Sequence, residues 1–298
     1  MQIQANGLRL EVDDQGPPDS PGGAPILLIM GLGMQLIAWP EPLVQSLVAR
    51  GRRVIRVDNR DAGLSQGFDD LGTPNLAWAA LRHALHLPVH APYGIGDMAQ
   101  DMVGLLDALA LPRAHVVGAS LGGMVAQHIA AKHPERVARL TLLMTTSGAR
   151  GLPHASAKVR AALLDQRLAP GGGIEPVVDR LERVFTLIGS PAYRPRTDAE
   201  REAFRERLRR AATRAYRPAG SVRQLVAVAA DGDRSPLLAR IVAPTHIVHG
   251  QADPLVPVAA AYDLHAKIAG STLEIVEGMG HDLPEPLWPR LADAITRG

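Results

Sequence analysis

The chain has 298 residues, 46% of them hydrophobic and 21% charged, which supplies one large core and excludes a disordered or fibrous protein. Lys and Arg total 32 against 30 for Asp and Glu, so the formal charge of +2 leaves no field that would argue for nucleic acid or an anionic membrane as a partner. Cysteine is absent, which excludes disulfides, cysteine nucleophiles, thiolate zinc sites and iron–sulfur clusters.

In chain order, residues 1–12 alternate polar and apolar side chains without an apolar run of the signal-peptide kind, so a cytoplasmic location is the expectation. Gly, Pro or a charge interrupts every apolar segment before it reaches the roughly 20 residues a membrane span needs. Strands are expected at residues 8–13, 26–29, 53–57, 114–117, 137–144, 245–249 and 273–276, most of them apolar on both faces as buried parallel strands are. Between them, residues 97–109 put Met98, Met102, Leu105, Leu106 and Leu109 on one helical stripe with Asp97 as N-cap, and residues 121–132 read as another helix. Strands alternating with helices predict an α/β fold with a mostly parallel sheet flanked by helices. Residues 146–235 break the rhythm: no strong strand occurs, and Arg-, Ala- and Leu-rich helical segments are separated at Gly171-Gly172-Gly173 and at Pro191. They read as a helical cap inserted into a core domain of residues 1–145 and 236–298. Residues 67–93, with a helical pattern over 75–86, form a second interruption.

The most informative segment is Gly118-Ala119-Ser120-Leu121-Gly122, set directly between a predicted strand and a predicted helix. A sharp strand-to-helix turn holds a serine in strained backbone geometry and requires neighbours without Cβ two positions before and after it. Gly118 and Gly122 meet that need, and the helix N-terminus offers unpaired N–H groups where an oxyanion would form. The plain alternative is that Ser120 only caps the helix, but a cap needs no glycine on both sides. A serine hydroxyl needs a histidine base, and that histidine needs a carboxylate to set its tautomer. Downstream, Asp253 follows the strand at 245–249 and His281 sits in a glycine-flanked loop after the strand at 273–276. Both lie at strand C-terminal ends, where open parallel sheets bind ligands.

Together with Met30-Gly31-Leu32-Gly33 and Asp58-Asn59-Arg60-Asp61-Ala62-Gly63-Leu64-Ser65, these patches make the chain resemble the α/β-hydrolase fold superfamily over essentially its whole length. Within it the chain is most similar to the serine hydrolase branch of aclacinomycin methylesterase-like hydrolases. The resemblance implies Ser120 as nucleophile, Asp253 as acid and His281 as base, with the backbone N–H groups of Leu32 and Leu121 as the oxyanion hole. It departs from the family's pattern at Met30, where histidine is common, and at Asp61, where glycine is common. Fold members with a carboxylate nucleophile are argued against by Ser120.

Other residues have plainer readings. His83, His86 and His90 would share a helix face only without Pro88, and no acidic ligand accompanies them, so no metal is expected. Gly31-Leu32-Gly33 lacks the third glycine of a dinucleotide loop, since position 36 is Leu, and no cofactor is expected. Residues 201–217 interleave Glu with Arg, including Glu206 four residues before Arg210, as a solvated helix does. His249, at a strand end, is expected to pack. The expected partner is a small uncharged ester, bound in a Leu-, Val- and Met-lined pocket roofed by residues 159–168 and 177–188, with the chain a monomer or homodimer. The expected activity is ester hydrolysis through an acyl-enzyme. Lactones, perhydrolysis and acyl transfer use the same triad, and a non-catalytic small-molecule receptor would keep the fold without an activated serine.

Overall fold

The computed structural model describes residues 1–165 and 173–297. Two strands open the chain, β1 (Gln2–Ala5) and β2 (Leu8–Gln15), joined by Asn6 and Gly7 at φ of 49° and 75°. Two left-handed residues make a tight hairpin turn, so β1, which the periodicity from residue 8 onward does not include, has a local cause in the Asn-Gly pair. Then come β3 (Ile26–Ile29), α1 (Glu41–Val48), β4 (Val54–Val57), α2 (Leu76–Ala84), α3 (Ile95–Ala108), β5 (Ala114–Ala119), α4 (Leu121–Lys132) and β6 (Val137–Leu143). Helices α5 (Ala157–Leu164), α6 (Glu175–Ile188), α7 (Asp198–Arg214), α8 (Pro218–Asp231) and α9 (Ser235–Leu238) separate β6 from β7 (Thr245–Gly250). The chain continues through α10 (Ala259–Lys267), β8 (Thr272–Val276) and α11 (Trp288–Arg297).

The strands form one eight-stranded sheet in the order β1-β2-β4-β3-β5-β6-β7-β8. β1 with β2 and β2 with β4 pair antiparallel, and every other neighbouring pair is parallel. Alternate residues of each strand serve opposite faces, which the core records directly. Leu27 and Ile29 pack with Met98, Met102 and Leu106 of α3 and with Val125 of α4. Ile26 and Leu28 pack with Leu43 and Leu47 of α1 and with Leu291 and Ile295 of α11. Each such side chain, fully buried, contributes about 1.5–3 kcal/mol relative to exposure.

The stripe on α3 is as expected, but its start is not: the N-cap is Gly94, and Asp97 lies in the first turn, where its carboxylate accepts the Gly94 N–H at 2.7 Å. A carboxylate there also meets the positive end of the helix dipole. On α7, Glu206 pairs with Arg209 rather than Arg210, and further partners lie across the helix pair. Arg205 reaches Asp179 at 2.8 Å and also Glu182, and Arg209 reaches Glu175 at 2.6 Å, all on α6. These pairs run between helices because α6 offers three carboxylates along the face turned toward α7. Leu168, Gly171 and Gly172 lie outside the described residues.

Parallel pairing puts the C-terminal ends of β3, β4, β5, β7 and β8 along one edge of the sheet. All the loops singled out in the sequence leave from that edge.

Candidate active site

Ser120 follows β5 with φ 54° and ψ −118°, a conformation rare for a residue with a side chain and costing on the order of 1–3 kcal/mol. The surroundings enforce it. Ser120 N–H donates to Leu143 O at 2.9 Å, and Thr145 Oγ1 donates to Ser120 O at 2.7 Å. A Cβ on Gly118 would lie 2.2 Å from Gly122 O, and one on Gly122 would lie 2.1 Å from Ile29 O. The glycines therefore permit backbone to approach backbone on both sides of the turn. Ser120 stands at the N-cap position of α4, yet its side chain makes no cap bond. The capping alternative fails because the hydroxyl is engaged elsewhere.

That engagement is His281, whose Nε2 lies 3.0 Å from Ser120 Oγ. On its other side His281 Nδ1 lies 2.7 Å from Asp253 Oδ2. An ionised carboxylate only accepts, so Nδ1 carries the proton and Nε2 presents a lone pair to the hydroxyl. Asp253 and His281 are buried, and Ser120 is half-buried. The second oxygen of Asp253 accepts the N–H groups of Leu255 and Val256 at 2.9 and 2.8 Å, which fixes the carboxylate plane.

His249 does more than pack. Its Nε2 donates to Val256 O at 2.8 Å and lies 3.5 Å from Asp253 Oδ2, bracing the same turn. Burial holds this imidazole below its usual range, against the opposing pull of Asp253 and the Val256 carbonyl.

The loop carrying His281 is pinned to the end of α6. His281 N–H donates to Ile188 O at 2.8 Å, and Gly280 N–H donates to Ser190 Oγ at 2.8 Å. The Ser190 hydroxyl in turn donates to Asp282 Oδ1, which also accepts Ser190 N–H at 3.0 Å. Burial pushes the Asp282 carboxyl up despite these donors.

Beside the serine lies the turn after β3. A Cβ on Gly31 would sit 3.2 Å from Ser120 Cβ, so glycine lets this turn lie close against the serine. Among the described residues, neither Leu32 N–H nor Leu121 N–H has a hydrogen-bond acceptor. Both amides are thus available to a developing oxyanion. Met30 donates no side-chain hydrogen bond here, and the turn is held from other elements. Asn59 Nδ2 donates to Met30 O at 2.9 Å, and Asp58 Oδ1 accepts Leu36 N–H at 2.6 Å. Gln224 Oε1 on α8 accepts Gly33 N–H at 2.8 Å, and Gln35 Nε2 donates to Ala211 O and Ala215 O at the end of α7. Asp61 has a φ of 65°, the left-handed geometry that favours glycine. Here Arg223 on α8 and the Tyr93 hydroxyl clamp its carboxylate at 2.7–2.8 Å. Burial raises that carboxyl, but the donors prevail and hold it below the usual carboxylate range.

Gln224, Arg223, Arg214 and Ser190 have no signal of motif or spacing in the sequence. Gln224 and Arg223 reach the site from α8, Arg214 from the end of α7, where it donates to Asp58 Oδ2 at 2.7 Å, and Ser190 from the turn after α6.

The alpha/beta hydrolase fold family profile matches residues 24–285. The chain belongs to that family. This α/β hydrolase is 30% identical over 294 residues to rhodomycin D methylesterase DauP of Streptomyces sp. (strain C5), covering 92% of this chain and 90% of the relative. It is 31% identical over 293 residues to rhodomycin D methylesterase DnrP of Streptomyces peucetius, with the same coverage of 92% and 90%. Both of these relatives are methylesterases, and the family profile makes the chain a hydrolase of the α/β fold. Among solved structures it resembles the esterase EaEST from Exiguobacterium antarcticum, with a TM-score of 0.76 and 22% identity over 100% of this chain and 98% of that one.

Among the described residues of the hydrolase, no group of three or more His, Asp or Glu is placed to hold a metal, and no helix is long and apolar enough to cross a membrane. His83 Nδ1 lies 3.3 Å from Ala229 O on α8. A cleft of about 630 Å³ opens between α5 and α6, lined by Lys158, Arg180, Arg183 and Arg194 as well as Val184 and Leu187. Neither its charge nor its position is that of the apolar pocket expected at the serine. A cluster of Val159, Ile188 and Phe185 with Leu255 ties α5 and α6 to the Asp253 loop.

Proposed function

We propose that this hydrolase is a carboxylesterase that cleaves small to medium uncharged esters through Ser120, His281 and Asp253. The observation that carries the reading is the unbroken relay from Ser120 Oγ to His281 Nε2 at 3.0 Å and from His281 Nδ1 to Asp253 Oδ2 at 2.7 Å. His281 takes the hydroxyl proton as Ser120 Oγ bonds to the ester carbonyl carbon, and Asp253 steadies the imidazolium. The carbonyl oxygen, now an oxyanion, accepts from Leu32 and Leu121 N–H. The C–O bond to the alcohol then breaks as His281 returns the proton to the departing oxygen. Water repeats the sequence on acyl-Ser120 and releases the acid, with no cofactor needed.

Residues 146–235 act as a cap over a core of residues 1–145 and 236–298. The apolar cluster joining α5 and α6 to Leu255 favours an uncharged substrate under that cap. The two methylesterase relatives make methyl esters of bulky acids a test class beside p-nitrophenyl esters of graded chain length.

Ser120→Ala lowers kcat on these esters by about 10⁴-fold or more while KM changes little. A fluorophosphonate labels the wild-type protein at Ser120, read by peptide mass. Unlabelled wild-type protein, or an undiminished rate in the variant, ends the proposal, and the first outcome is what a non-catalytic receptor would give.

A further inference from the structure

We infer that Gln224, on a helix between β6 and β7, is the positioning residue for the Leu32 oxyanion donor. The inference rests on the esterase reading and deepens it.

Gln224 is fully buried, and both ends of its amide are used. Oε1 accepts Gly33 N–H at 2.8 Å, and Nε2 donates to Arg60 O at 2.7 Å. One side chain thus bridges the turn after β3 and the turn after β4. Gly33 is the residue next to Leu32 and has a φ of 64°. A Cβ there would fall 2.4 Å from Ser221 Oγ, so α8 touches this turn at two points three residues apart. A buried amide that is bonded at both ends and carried on a helix is a stiff support, and an oxyanion donor must be held to within a few tenths of an ångström. The partners on the sheet side are Asn59 to Met30 O and Asp58 to Leu36 N–H, which flank the turn and leave its tip, residues 32 and 33, to α8. At position 30, methionine offers no support of the kind histidine gives. The support comes instead from a helix that begins about 190 residues later in the chain. The seating of α8 on the core therefore sets whether the oxyanion hole is formed.

The test compares an ester with its thionoester, whose C=S accepts hydrogen bonds poorly and so gains little from the oxyanion hole. In Gln224→Met, kcat on the oxo ester falls by about 10–100-fold with KM changed less than about twofold, since a loosened donor acts in the transition state only. The oxo-to-thiono rate ratio falls by about tenfold or more. A merely structural role lowers both rates alike, so an unchanged ratio in a folded Gln224→Met overturns the inference. Should that variant not fold, Gly33→Ala, whose Cβ meets Ser221 Oγ at a φ of 64°, displaces the same turn from α8, and an unchanged ratio there overturns it equally. Ser120→Ala, run in parallel, separates the two levels. If it retains full activity the esterase reading itself falls. If it is inactive while the Gln224 ratio is unchanged, only this inference does.

Discussion

Ser190 joins two parts of the molecule through one hydroxyl, accepting Gly280 N–H and donating to Asp282 at the root of the histidine loop. It is buried, so Ser190→Ala leaves the Gly280 N–H without an acceptor and removes a donor from the half-buried Asp282 carboxylate. The expected cost is about 1–3 kcal/mol in denaturant unfolding. Because His281 lies between those two contacts, kcat on a p-nitrophenyl ester should fall with KM little changed. A variant with wild-type stability and wild-type kcat refutes this account of the loop. The glycines around His281 are visible in the sequence as a flexible flank, whereas Ser190 lies 90 residues from its partner and belongs to no motif. Only proximity reveals it.

Helices α6 and α7 meet through exposed ion pairs, and α8 meets the core through a buried one. Arg223 is 1% exposed and Asp61 0%, with Nη2 to Oδ1 at 2.7 Å. Arg223→Met leaves that carboxylate buried without its cation and should destabilise by about 3–5 kcal/mol in urea unfolding. Arg209→Ala, on the open face between α6 and α7, should leave the urea midpoint close to wild type, because water and salt already screen those charges. Equal losses in the two variants contradict this division. Periodicity marks where these helices run, and it places α4 from Leu121 to Lys132. It does not say which cation turns inward: Arg214 on α7 looks like its exposed arginine neighbours, and nothing local marks Arg223, the one arginine of α8, until Asp58 and Asp61 lie opposite them.

Across the whole molecule, stability should carry a signature of the central sheet. His115 on β5 is buried with Nε2 2.8 Å from Thr141 Oγ1. Burial, and then the charges of Arg52, Arg139 and His246, push its imidazole down from 6.5 to about 3. The folded chain thus refuses a proton that the unfolded chain accepts. Stability is full above the unfolded value and falls as pH drops toward the folded one, by about 1.4 kcal/mol per unit. His115→Gln should remove about 2 kcal/mol of the loss between pH 7 and pH 5, measured by denaturant unfolding at both. An identical loss in the variant contradicts the assignment.

The alternation of strands and helices, the mostly parallel sheet and the strained turn at Ser120 were legible because their causes are local. Alternation and helical stripes arise from the backbone period, Gly118 and Gly122 from the room a tight turn demands, and the common edge from parallel pairing itself. The hairpin at Asn6-Gly7 was equally local in cause, though its strand is only four residues long. What the tertiary structure decided is the set of partners that hold those residues in register. Ser120 and His281 are 161 positions apart, and Gly33 and Gln224 are 191 apart. A hydrogen bond depends on distance and direction in space, and over such separations the chain's own spacing specifies neither until the sheet and the helices between β6 and β7 have packed.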